Sequence, residues 1–143
     1  SRGGEVCGVV PDFLQELELT HQMLTELKVV DGMHIRKQLM LENSDAVVAL
    51  PGGCGTMEEL FEALTLKRLG QWLGPVILVN TNRFYDGLIQ FLDHMIDERC
   101  MASNHMDMWS VIDEPEDVLA ALETAPTWGA GALQFANVTP ANS

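Results

Sequence analysis

The sequence predicts an α/β fold with a doubly wound, mainly parallel sheet. Short apolar runs rich in β-branched residues alternate with longer segments whose apolar residues recur three and four positions apart. One apolar run leads directly into a glycine-rich segment, residues 51–55, which we call the glycine loop, and a helical pattern follows it. Alternation of this kind is the pattern of β-α units feeding a parallel sheet.

Five strands are predicted, at residues 5–10, 27–30, 46–50, 76–80 and 109–112. The third and fourth are apolar at nearly every position, as strands covered on both faces are. We therefore expect these two strands to lie at the centre of the sheet.

Four helices are predicted between and after the strands, at residues 34–43, 56–69, 84–98 and 116–123. In the second, Leu60, Phe61 and Leu64 show the spacing of a buried helix face. The last helix has an acidic start with Pro115 near its first turn, a common arrangement at a helix N-terminus.

The predicted helices and strands indicate one nucleotide-binding domain of the Rossmann type over residues 1–125. From residue 126 the composition shifts to Gly, Ala, Thr, Asn and Pro without periodicity, so residues 126–143 are predicted to form a tail. Because a strand follows almost directly after residue 1, we expect the domain to be partial and to lack its first β-α unit or units.

Composition excludes several kinds of function. Eight Lys and Arg against 21 Asp and Glu give 8 − 21 = −13, which disfavours binding to a nucleic acid polymer. The sequence has no apolar run of membrane-spanning length, so no membrane partner is expected. Three scattered cysteines, Cys7, Cys54 and Cys100, suit a reducing compartment, and we predict a cytoplasmic location.

The glycine loop has the chemistry of an anion site. Glycines allow close backbone approach, and the first N–H groups of the following helix point at whatever binds there. Neither G-x-G-x-x-G nor G-x-x-x-x-G-K-[ST] is present, so classical dinucleotide and P-loop sites are not predicted. A phosphate on a small molecule fits this loop even in an acidic protein.

Glu58 and Glu59 follow the loop on the first turns of the helix, close to any ligand held there. Two interpretations stay open from the residues alone. The acids act on the ligand, or they stabilise the helix dipole behind Thr56 as N-cap, each effect being worth about 0.3–1 kcal/mol. Cys54 has no partner base in any motif, so it is not predicted to be a nucleophile.

Segment 51–59, Pro-Gly-Gly-Cys-Gly-Thr-Met-Glu-Glu, resembles the P-G-G-x-G-T-x-E-E signature of the LONELY GUY family, whose members often carry the label lysine decarboxylase. Met-His-Ile-Arg-Lys at 33–37 and Ser-Asp-Ala at 44–46 are similar to two further elements of that family. Similar short elements continue to residue 93, and the resemblance spans roughly residues 3 to 122.

This resemblance implies a phosphoribohydrolase that cleaves the N-glycosidic bond of nucleoside 5′-monophosphates, of AMP or cytokinin type, to free base and ribose 5-phosphate. It implies Arg36 and Glu59 as the catalytic pair. The substrate site it implies comprises Arg36, Lys37, Gly52, Gly53, Cys54, Gly55, Thr56, Met57, Glu58 and Glu59. It also implies a homodimer or higher homo-oligomer, with a small nucleoside monophosphate as partner.

No cofactor or metal is expected for such hydrolysis, and no lysine has surroundings that favour pyridoxal phosphate. The family's first strand and a second glycine-rich phosphate loop precede the matched region. We therefore expect either an isolated portion of a longer protein or a pocket completed by a neighbouring subunit. The alternative functions are a non-catalytic nucleotide-binding or carrier module of the same fold and an oligomeric scaffold.

Overall fold

The computed structural model describes residues 3–14, 23–129 and 131. The chain divides into two compact units, Ser1–Ser44 and Asp45–Ser143. In the described residues no helix is both long and apolar enough to cross a membrane.

The first unit contains a parallel strand pair and one helix. Strand β1 is Cys7–Pro11, a 3-10 turn follows at Asp12–Leu14, and strand β2 is Glu26–Val30. The register places Cys7 opposite Glu26. Helix α1, Gly32–Glu42, packs on both strands. It begins at Gly32, whose φ of 88° is a conformation that favours glycine.

The second unit contains a three-stranded parallel sheet with the order β3-β4-β5. Its strands are β3 (Val47–Ala49), β4 (Val76–Val79) and β5 (Ser110–Ile112). Its helices are α2 (Cys54–Arg68), α3 (Asp86–Asp97) and α4 (Val118–Thr124), and 3-10 turns occupy Thr81–Arg83, Ser103–Met108 and Pro115–Asp117. All three strands therefore end at the same edge of the sheet.

The main core lies in the second unit around β4, in which every residue is buried. Leu60 and Leu64 of α2 and Leu92 of α3 pack into it, as the apolar spacing of these helices predicts. Tyr85 and Trp128 also belong to the cluster. The indole Nε1 of Trp128 donates to the Lys67 carbonyl at 2.7 Å, and its ring centroid lies 6.0 Å from that of His105.

The predicted fold class is confirmed, since parallel strands with flanking helices form an α/β, Rossmann-like structure. All five strands and four helices begin and end within two residues of their predicted bounds. The prediction for β3 is wrong in one respect: β3 is an edge strand of its sheet and Val48 is 39% exposed, whereas β4 is central. Trp128 lies after residue 125, the predicted end of the domain, and packs in the core. The domain boundary at residue 125 stays a prediction. Residues 132–143 of the predicted tail lie outside the described part of the chain.

Candidate functional site

The glycine loop joins the end of β3 to the start of α2. Gly53 is the N-cap residue in an extended conformation, with φ −91° and ψ −156°, and the helix begins at Cys54. The Met57 N–H donates to the Gly53 carbonyl at 3.1 Å, which is the first bond of the helix. The alternative interpretation that made Thr56 the N-cap is therefore wrong, because the helix starts two residues earlier.

The loop glycines have different roles. A Cβ on Gly52 would lie 2.8 Å from the Thr56 Cβ, so Thr56 packs on the backbone of Gly52 and requires glycine there. Cβ atoms on Gly53 and Gly55 would meet no atom within 4 Å. Gly52 thus serves packing, whereas Gly53 and Gly55 leave open space beside the start of the helix.

This end of α2 is suited to an anion. The first N–H groups of an α-helix have no acceptor within the helix, and the N-cap residue here is Gly53, which has no side chain to accept from them. The helix dipole adds a partial positive charge at the same place. The site also lies beyond the carboxyl end of β3, where ligands of open α/β sheets bind. Cys54, the first helical residue, is exposed and carries a free thiol.

The two acids differ in their surroundings. Glu58 is exposed, whereas Glu59 is half-buried. Residues four apart share a helix face and side chains lean toward the N-terminus, so Glu59 lies on the face of Gly55. Glu59 therefore shares its helix face with the open space at Gly55. Met57 packs against the hydrophobic core.

A polar network beside the loop was not predicted from the sequence. The buried Tyr85 donates its hydroxyl to the Leu50 carbonyl at 2.6 Å, immediately before the loop. The Asn80 side chain accepts from the Tyr85 N–H at 2.6 Å and donates to Asp86 Oδ1 at 2.9 Å. These hydrogen bonds connect the segment after β4 to Leu50, the residue that follows β3.

The same network includes an ion pair. Arg83 Nε lies 2.6 Å from Asp86 Oδ2. The hydrogen bond from Asn80, followed by that from Arg83, lowers the pKa of Asp86. Burial raises the pKa of Tyr85, so the phenol stays protonated and able to donate. In the sequence, the only trace of this network is a polar run that directly follows a buried strand.

The structure brings Gly52 through Glu59 together in one segment of the second unit. Arg36 and Lys37 lie on α1 of the first unit, and both are half-buried. Arg36 Nη1 is 4.0 Å from the Met33 sulfur, one turn earlier on the helix. The site roles of all these residues stay predictions.

Comparisons with known proteins agree with the motifs. The family described as possible lysine decarboxylase matches residues 1–122. A cytokinin riboside 5′-monophosphate phosphoribohydrolase from Rhodococcoides fascians is 41% identical over 123 residues, which cover 85% of this chain and 62% of the relative.

Two plant relatives show similar identity. A probable phosphoribohydrolase of the same name from Oryza sativa subsp. japonica is 37% identical over 121 residues, covering 85% of this chain and 48% of the relative. One from Arabidopsis thaliana is 42% identical over 102 residues, covering 71% and 47%. The chain spans about half the length of the curated relatives it matches.

Proposed function

This chain belongs to the family described as possible lysine decarboxylase, and on that premise we propose that it hydrolyses the N-glycosidic bond of nucleoside 5′-monophosphates. The products are free base and ribose 5-phosphate, with AMP or its cytokinin-type N6-modified analogues as substrates. The observation that carries the proposal is the start of α2 at Gly53, with open space at Gly53 and Gly55 and with Glu59 on the face of Gly55. The names of the relatives agree with this chemistry.

In the proposed complex the glycine loop holds the 5′-phosphate. Backbone N–H groups at the start of α2 donate to the phosphate oxygens, and the helix dipole favours their charge. These donors are fixed by the helix, so binding needs little reordering of the backbone. This local field allows an anion to bind although the chain carries a net charge of −13.

Glu59 is proposed to act on the sugar. Cleavage of the C1′–N bond develops positive charge on the ribose, which a nearby carboxylate stabilises. The same carboxylate can accept a proton from the attacking water as the water oxygen bonds to C1′. The base leaves with the electron pair of the C1′–N bond and takes up a proton. Glu58, one position earlier and exposed, lies on a different face of the helix.

Arg36 and Lys37 enter the proposal through the motif resemblance. A guanidinium holds a phosphate or a carboxylate through two parallel hydrogen bonds, which an ammonium group cannot do. Arg36→Lys in the assay below therefore tests Arg36 with its charge kept. Equal activity in the variant and the unchanged protein would remove Arg36 from the catalytic pair.

Decarboxylation of lysine, which the family description suggests, is not what we propose. Such chemistry uses pyridoxal phosphate held by a lysine. Lys67 is buried in the second unit, and its Nζ donates to the Gly74 carbonyl at 2.8 Å. Gly74 precedes β4, at the edge of the sheet opposite the glycine loop. Lys67 therefore does not fit such a cofactor at the candidate site.

The deciding experiment is incubation with AMP and with an N6-isopentenyl analogue, scoring free base and ribose 5-phosphate, for the unchanged protein, Glu59→Gln and Glu58→Gln. We expect Glu59→Gln to bind AMP but to lose about 10²- to 10⁴-fold in kcat. Glu58→Gln is the comparison at the neighbouring acid, which the resemblance places in the substrate site but not in the catalytic pair, so we expect a higher KM and a smaller loss of kcat than in Glu59→Gln.

Each outcome has a distinct meaning. Equal cleavage by the unchanged protein and Glu59→Gln would remove Glu59 from the mechanism. AMP binding without cleavage by the unchanged protein would replace the enzyme with a nucleotide-binding or carrier module. If AMP neither binds nor is cleaved, the proposed function is wrong.

The proposal includes a homodimer or higher homo-oligomer in the cytoplasm. The motif resemblance implies self-association. Phe84, just before α3, and Phe91, within α3, are half-exposed apolar side chains of the kind found in subunit contacts. Cys7, Cys54 and Cys100 are exposed free thiols, which a reducing compartment preserves. Fluorescent tagging with localisation to a compartment other than the cytoplasm would contradict this last part.

A further inference from the structure

We infer that Tyr85 is a positioning residue for the glycine loop and that its hydroxyl, rather than its ring alone, sets the affinity for the substrate phosphate. The inference rests on the proposed function. Tyr85 is 1% exposed, and its hydroxyl donates to the Leu50 carbonyl at 2.6 Å. Leu50 is the last residue before the loop, and its own side chain is 57% exposed. Burial of Leu50 therefore does not fix this point of the backbone, whereas the hydrogen bond does.

The hydrogen bond crosses between two neighbouring strands. Strands β3 and β4 are parallel and place Ala49 opposite Leu78, so the segments that follow them leave the same edge of the sheet. Tyr85 and Leu50 are 35 residues apart in the chain. The loop after Leu50 contains three glycines, which have more backbone freedom than other residues. A tether at its first residue limits that freedom where the phosphate donors must be aligned.

The turn that carries Tyr85 is itself held in place. Asn82 and Arg83 have φ values of 55° and 61°, a left-handed backbone that residues other than glycine rarely adopt. Such conformations persist where surrounding contacts hold them. Here Asn80 holds both the Tyr85 N–H and Asp86, and Arg83 pairs with Asp86. The network thus fixes the backbone from which Tyr85 reaches the loop.

A purely structural role for Tyr85 has different consequences. Its ring lies in the hydrophobic core and meets Phe84 edge to face, with centroids 5.0 Å apart. If only the ring mattered, phenylalanine would serve equally well for substrate binding. The hydroxyl is the one group whose loss separates positioning from packing.

The test is Tyr85→Phe in the full chain, with kcat and KM for AMP from the cleavage assay and the AMP affinity from titration calorimetry. Loss of one hydrogen bond at the loop should raise KM and Kd about 3- to 10-fold, with kcat changed less than about 2-fold. Phe84→Leu is the matched control, because it alters the aromatic contact of Tyr85 and keeps the hydroxyl. It should leave KM and Kd unchanged.

The failures are distinguishable. If the unchanged protein and Tyr85→Phe both cleave AMP with equal KM and equal Kd, the role of Tyr85 is overturned and the proposed function stands. If the unchanged protein binds AMP without cleaving it, the proposed function fails and the Kd comparison alone decides on Tyr85. A lower melting temperature with unchanged Kd assigns Tyr85 to packing and overturns the inference. If no AMP binds at all, both are overturned.

Discussion

Gly55 combines two properties that are seldom found together in a helix. It lies within the first turn of α2, where alanine would be more stable by up to about 1 kcal/mol, and a Cβ there would meet no atom within 4 Å. Folding alone therefore does not require glycine at this position. The space it leaves lies on the face of Glu59, where the proposed substrate binds.

We predict that Gly55→Ala raises the melting temperature slightly and weakens AMP binding at least about 10-fold, because the added methyl group occupies ligand space. Thermal unfolding and calorimetry measure the two effects. Gly87→Ala is the matched control, since Gly87 is also near the start of a helix with nothing within 4 Å of its Cβ. The proposed site would be misplaced if Gly55→Ala bound AMP as well as Gly87→Ala does.

Sequence patterns located the glycine loop between a strand and a helix, but they did not predict its local geometry. Thr56 has a typical capping side chain, yet Gly53 is the N-cap and Thr56 packs on Gly52. Tyr85 was not identified as part of the site, because its hydrogen bond joins residues 35 positions apart. Local propensity contains no information on such a pairing.

At the scale of elements, α2 links the candidate site at its start to a buried amine near its end. Burial lowers the pKa of Lys67 from 10.5 to about 8, and Nζ donates to the Gly74 carbonyl. The folded state therefore loses its proton at lower pH than the unfolded state. Between about pH 8 and pH 10.5 the unfolded state binds more protons than the folded state, so the free energy of unfolding rises with pH.

We predict that the unchanged protein gains about 2 kcal/mol of stability relative to Lys67→Met between pH 7.5 and 9.5. Below pH 8 both states are charged, and the full cost of burying the ammonium group opposes folding. Urea unfolding at several pH values measures the difference. Lys28→Met, at a half-buried lysine of the first unit that pairs with Glu26, is the control. A parallel pH dependence of the unchanged protein and Lys67→Met would refute the prediction.

The elements were predictable because their periodicities are strong. Apolar runs at β4 and spaced apolar residues in α2 located both within two residues. The prediction that β3 lies at the centre of the sheet was wrong. An apolar run shows that a strand can be covered on both faces, but it does not show that the fold covers both faces. Val48, which is 39% exposed, illustrates the difference.

For the whole molecule, the proposed self-association can be tested through α3. Phe91 is 54% exposed, and Phe84, two turns earlier in the chain, is 51% exposed. We predict that sedimentation velocity finds a species of at least twice the mass of one chain, and that Phe91→Glu shifts it toward monomer, because a charge at a subunit contact is costly. Gln90→Glu, at the adjacent exposed position, controls for charge alone. Only monomer in the unchanged protein would contradict the proposed assembly.

The hydrogen bond to the Leu50 carbonyl has one more consequence. The Tyr85 hydroxyl holds a backbone oxygen directly before the glycine loop, so the loop does not depend on its own side chains for its backbone conformation there. Substitutions at Cys54, whose side chain is exposed, should then leave the path of the glycine loop unchanged.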